Sequence, residues 1–110
     1  MINRGDIIKL NFNPIKGFEQ RGYRPALVIS NNFFNQKANL LIVLPITNTN
    51  NGFPLHLPLE GTETTGVILC EHIRTVDPAE RDVKFIEKAP MELVEKAIDI
   101  IVSEIEKFKD

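Results

Sequence analysis

From Met91 onward the chain keeps a different period from everything before it, and that change limits the fold more than any other feature. Leu93, Val94, Ala97, Ile98, Ile101, Val102, Ile105 and Phe108 recur at intervals of three and four, with charged residues between them. That spacing predicts one long amphipathic helix, and Pro90 suits its first turn. A helix with a single apolar stripe must lay it on another layer. The residues upstream have to supply that layer.

Those residues read as short strands broken by turns. Segment 6–12 (DIIKLNF) alternates and is closed by Asn13-Pro14, and residues 13–23 form a polar loop with Gly17 and Gly22. Arg24-Pro25 opens the apolar run Ala26-Leu27-Val28-Ile29, a buried strand by composition. Residues 40–46 (LLIVLPI) are the most apolar stretch and predict a central strand, with Pro45 marking its end or a bulge. Asn51-Gly52 suits a turn with positive φ. Phe53–Leu57, Val67–Cys70 and the residues from Ile73 to Val76 follow as further strands before a turn at Asp77-Pro78. Phe33 and Phe34 are expected to pack inside. Five or more short, frequently turned strands favour a small curled antiparallel barrel with the helix against it. At 110 residues, the chain 1–110 is expected to form a single domain.

Charge is distributed unevenly. Residues 1–58 hold six basic side chains (Arg4, Lys9, Lys16, Arg21, Arg24, Lys37) against two acids, while residues 59–110 hold seven against thirteen. The overall net charge of −2 excludes a basic nucleic-acid coat but permits a local anion-binding face. A single cysteine, Cys70, excludes an internal disulfide framework and fits a reducing compartment. The start MINRGDIIKLNF has no apolar core of a signal peptide, and no stretch approaches the roughly 18 apolar residues of a membrane span. A cytoplasmic protein without membrane association is the expectation.

The sequence has no phosphate-cradling glycine loop, paired-histidine zinc motif or nucleophile elbow. Most carboxylates of the last helix (Glu92, Glu95, Asp99, Glu104, Glu106) read as a solvated face, so neither a metal centre nor a cofactor is expected. Unusual polar residues instead gather where strands meet loops. They are Glu19-Gln20-Arg21-Gly22-Tyr23-Arg24, Thr47 after Pro45-Ile46, and Glu71-His72-Ile73-Arg74-Thr75. In a small barrel three such strand ends can converge on one face. Phe18, Tyr23 and Phe53 could stack on splayed bases. His56, in an alternating strand, reads as structural or solvent-facing.

The ordered pattern of these residues resembles a known family. Arg4-Gly5-Asp6, then Pro14-x-x-Gly17-x-Glu19-Gln20-x-Gly22-x-Arg24-Pro25, then Leu27-Val28-Ile29-Ser30, Pro45-Ile46-Thr47, Thr65-Gly66-Val67 and Ile73-Arg74-Thr75-Val76-Asp77 are similar to the MazF/PemK (Kid) toxins, messenger-RNA interferases of type II toxin–antitoxin systems. The resemblance runs over essentially the whole chain. It implies a mainly β fold, an SH3-like β-barrel of the CcdB/PemK type packed with a C-terminal helix and acting as a homodimer. It also implies metal-independent cleavage of single-stranded RNA at a short sequence, held in check by a cognate antitoxin protein. Arg24 and Thr47 match the family's catalytic pair, and Glu19 matches the acid of the same loop. Lys16, Phe18, Gln20, Asn48, Glu71, His72 and Arg74 are the implied RNA contacts. Glu71 matches an acidic position that is an aspartate, the proposed general base, in some members. Leu69 stands where plasmid-type members carry an arginine, and His72 replaces a commoner glutamine.

The chemistry suits those residue types. RNA's own 2′-hydroxyl can attack the adjacent phosphate, leaving a 2′,3′-cyclic phosphate and a 5′-hydroxyl. A planar guanidinium matches the oxygens on which charge then gathers, and a threonine hydroxyl can donate to the same group. Glu19, Glu71 and His72 are all candidates for the base. Two other functions compete: a non-enzymatic toxin resembling CcdB, which shares the barrel and binds a gyrase-type target, and a plain SH3-like interaction module. A pure binder has no need of the Glu19, Arg24 and Thr47 set.

Overall fold

The computed structural model describes residues 1–13, 22–49 and 52–108. Among them are seven strands and two helices. The strands are β1 (Asp6–Asn11), β2 (Tyr23–Val28), β3 (Leu41–Thr47), β4 (His56–Pro58), β5 (Val67–Leu69), β6 (Arg74–Val76) and β7 (Lys84–Lys88). The helices are α1 (Asn32–Ala38) and α2 (Met91–Ile105). Every strand pairing is antiparallel, in the order β4-β5-β3-β2-β1-β7, with β6 joined to β3.

The three central strands bury both faces, and period-two alternation sorts their side chains between two cores. Ile7 of β1, Leu27 of β2 and Leu44 and Ile46 of β3 face one core, which α2 covers with Leu93, Val94 and Ala97. Ile8 and Leu10, Ala26 and Val28, and Leu41 and Val43 face the other, closed by Phe12 and Val76. Burying each of the larger aliphatic side chains and Phe12 contributes about 1.5–3 kcal/mol, so the helix and the barrel interior stabilise opposite faces of one sheet.

Pro45 neither ends nor bulges β3, contrary to expectation. On one side it pairs with Ala26 of β2. On the other side, β6 pairs with Leu41–Val43 and β5 with Ile46–Thr47. The proline therefore falls where β3 changes partners, and its missing N–H leaves no ladder bond unmade.

Two more expectations, for Phe33 and Phe108, need correction, and two elements, α1 and β7, show no clear period in the sequence. Residues 32–38 form the short helix α1, capped by the Asn31 side chain accepting from the Phe34 N–H at 2.8 Å and ended by Asn39 in the left-handed region. On it Phe33 is 73% exposed rather than packed inside. Phe108 lies beyond the end of α2 and is exposed, because Glu106 turns extended. Strand β7 shows no clean alternation in sequence, and its Phe85 and Ile86 are exposed at the sheet edge.

Candidate active site

A cleft of about 350 Å³ opens at the ends of β2, β3 and β5 and is lined by Arg24, Thr47, Thr49, Phe53, His56, Leu69, Glu71 and His72. The sheet register brings the first two together. β2 and β3 pair Ala26 with Pro45 and Val28 with Val43; continuing that register by two residues puts Arg24 opposite Thr47. Both share the alternation phase of the barrel-facing residues, so both side chains leave the sheet on the same face.

Thr47 is buried, 8% exposed, and its hydroxyl oxygen accepts the Thr49 N–H at 3.1 Å. With an acceptor position of the oxygen used, the hydroxyl proton remains available for donation into the cleft. A close packing contact holds the backbone there. A Cβ on Gly66 would lie 2.3 Å from the Thr47 carbonyl oxygen, and Gly66 has φ +116°. Only glycine suits that approach, and it lets β5 pair Val67 with Thr47. Next to it, Asn48 accepts from the Thr65 hydroxyl at 3.0 Å.

Glu71 enters the cleft from the turn after β5. Its Oε2 meets His56 Nε2 at 2.8 Å and His72 Nε2 at 3.7 Å. Phe53 packs edge-on against the His56 ring, with centroids 5.3 Å apart. Behind the cleft, Cys70 is buried, and its thiol pKa is pushed up to about 12 by burial and by the charges of Glu104 and Glu71. Glu104 of α2 has its carboxyl raised, first by burial and then by Glu71.

Of the sequence candidates, Arg24, Thr47, Glu71 and His72 meet in this cleft, while Asn48, between Thr47 and Thr49, is not among the lining residues. Lys16, Phe18, Glu19 and Gln20 lie outside the described residues. Arg74 is not among the lining residues: its guanidinium donates to the Phe12 carbonyl at 3.1 Å and stacks over the Phe12 ring. Tyr23 instead reaches the Asp82 carbonyl, and Lys9 sits over its ring. His56, expected to be structural or solvent-facing, lines the cleft as a partner of Glu71. Phe53, a stacking candidate, lines it too. Among the described residues no group of three or more His, Cys, Asp or Glu side chains could hold a metal ion, and no helix is long and apolar enough to cross a membrane.

The family described as PemK-like, MazF-like toxin of type II toxin–antitoxin system matches residues 3–102. The chain belongs to this toxin family. It is 38% identical over 72 residues to the endoribonuclease toxin MazF of Escherichia coli K12, a match covering 66% of this chain and 65% of that protein. To the endoribonuclease toxin ChpB of the same organism it is 41% identical, over 86% of each. MazF of Deinococcus radiodurans, solved alone and with MazE, superposes on it with TM-scores of 0.88 and 0.82 at 30% identity. These superpositions cover 94% of this chain and 96% and 95% of those chains. The β-barrel with a C-terminal helix is thus the family's fold.

Proposed function

We propose that this protein is an endoribonuclease toxin that cuts single-stranded RNA at a short sequence without a metal. The observation that carries the proposal is the cleft that Arg24 and Thr47 share at the ends of the neighbouring strands β2 and β3. The RNA's 2′-hydroxyl gives up its proton to a base and attacks the adjacent phosphorus; the P–O5′ bond breaks and the leaving O5′ takes up a proton, giving a 2′,3′-cyclic phosphate and a 5′-hydroxyl. The Arg24 guanidinium stabilises the charge gathering on the phosphorane oxygens, and the Thr47 hydroxyl donates to the same group. The nucleophile belongs to the substrate, so no metal-bound water is required. Glu19, five positions before Arg24 in the sequence, is the third member of the set by its match to the family.

Glu71, His72 and Asn48 contact the RNA strand. Phe53 is 43% exposed in the cleft wall and offers a face on which a splayed base can stack. A cognate antitoxin binds and silences the toxin, by analogy with the MazE–MazF complex. The working form is a homodimer in the cytoplasm, where its substrate is.

The test is incubation of the purified protein with labelled single-stranded RNA and its DNA counterpart in excess EDTA. RNA cut with DNA intact is the expected result, since DNA lacks the 2′-hydroxyl. Failure to cut any long, varied RNA would overturn the proposal.

A further inference from the structure

We propose that His56 is a positioning residue of the RNA cleft, holding the Glu71 carboxylate in place toward the bound strand. This rests on the ribonuclease reading above.

His56 is built into the fold. Its side chain is 7% exposed, while that of Glu71 is 26% exposed. β4 and β5 pair His56 with Leu69, and the turn after β5, closed by the His72 N–H donating to the Leu69 carbonyl at 3.1 Å, brings Glu71 within 2.8 Å of the imidazole. The Phe53 ring fixes the imidazole edge-on. In the tautomer protonated at Nε2, the imidazole donates to Glu71 Oε2 at 2.8 Å. Nδ1 is buried and has no hydrogen-bond partner among the described residues. The imidazole's bonding capacity is thus directed at one carboxylate and away from substrate.

Such a restraint has a use in this cleft. A carboxylate in the cleft that Arg24 also lines repels phosphate, so where its charge is held matters to the bound strand. Glu71 Oε1 is buried without a hydrogen-bond partner among the described residues, so Oε2, the oxygen that His56 fixes, is the one that accepts from a hydroxyl or a base N–H of the RNA. His56 acts through Glu71 and needs no contact of its own.

The experiment measures kcat and KM on one defined single-stranded RNA for wild type, His56→Leu, His56→Gln, Glu71→Gln and the double variant His56→Leu/Glu71→Gln. Thermal melting of each checks the fold. His56→Leu should lower kcat/KM about tenfold, with the same division between kcat and KM as Glu71→Gln. His56→Gln, whose amide can donate to the same oxygen, should recover most of the loss. On the Glu71→Gln background, His56→Leu should cost less than twofold. Wild-type kcat/KM in His56→Leu, or an undiminished cost on the Glu71→Gln background, would overturn the inference. Should His56→Leu fail to fold, His56→Phe, which fills the same space without a donor, takes its place under the same two criteria. A wild type that cuts RNA, and that Arg24→Ala disables, leaves the ribonuclease reading standing whichever way His56 falls.

Discussion

Arg24 and Thr47, at the ends of β2 and β3, line one cleft, and the β2–β3 register carried on by two residues brings them to facing positions. Two residues far apart in sequence become neighbours because the β2–β3 register runs unbroken from Val28–Val43 through Ala26–Pro45. A one-residue slip would send one of them to the opposite face. The apolar neighbours Ala26, Val28 and Val43, all buried in the same core, hold the register against that slip.

Thr47→Val keeps the shape of the side chain and removes the hydroxyl. The acceptor of the Thr49 N–H is lost as well, at about 1 kcal/mol of stability. Single-turnover RNA cleavage should fall on the order of tenfold or more, while Thr47→Ser should retain most of the rate. Equal rates for the valine and wild-type proteins would remove Thr47 from the chemistry.

Gly66→Ala puts a Cβ against the Thr47 carbonyl, in a backbone conformation with φ +116°. A destabilisation of about 1–3 kcal/mol is expected, read as a fall in thermal midpoint. Cleavage should also weaken, because the strain falls on the residue that carries the hydroxyl. An unchanged midpoint would show that the β3–β5 contact is looser than described.

Cys70 should be inert. Burial and two neighbouring carboxylates push its thiol pKa up to about 12, and the thiolate is the reactive form. At pH 8 the native protein should resist iodoacetamide and react only once unfolded. Fast labelling of native protein would contradict the packing of β5 against α2.

The barrel itself was legible from residues alone. Alternation in residues 6–12, the apolar runs 26–29 and 40–46 and the change of period at Met91 each correspond to an element found there. What could not be read depends on partners distant in sequence. Pro45 looks like a strand breaker until β6 and β5 are seen to divide the far edge of β3 between them. Phe33 looks like core until Asn31 caps a short helix that leaves it outside. The same holds for the cleft. Arg24, Thr47, Glu71 and His72 stood out as polar residues at strand ends, whereas His56 gained its meaning only from the β4–β5 register that carries it to Glu71. Arg74 sat in a matching block but turns to Phe12 instead.

Glu104 should make stability depend on pH. Burial and the charge of Glu71 raise its carboxyl pKa above the ordinary 4.5. The folded protein therefore keeps a proton that the unfolded chain releases. The associated stability is full below the unfolded value and is lost as pH rises through the folded one. Glu104→Gln, neutral throughout, should be more stable than wild type at neutral pH, with the difference vanishing under acid conditions. Thermal midpoints of the two proteins across that range would show it; a constant difference at every pH would contradict the burial of this carboxyl.

The central claim is that one guanidinium stabilises the scissile phosphate in the transition state. Arg24 is exposed on β2, so Arg24→Ala should leave the thermal midpoint nearly unchanged. Single-turnover cleavage of a defined single-stranded RNA in excess EDTA is the direct measurement. A loss of about 10²–10³ in rate with the fold intact is the expected result. Cleavage at the wild-type rate by folded Arg24→Ala would contradict the account.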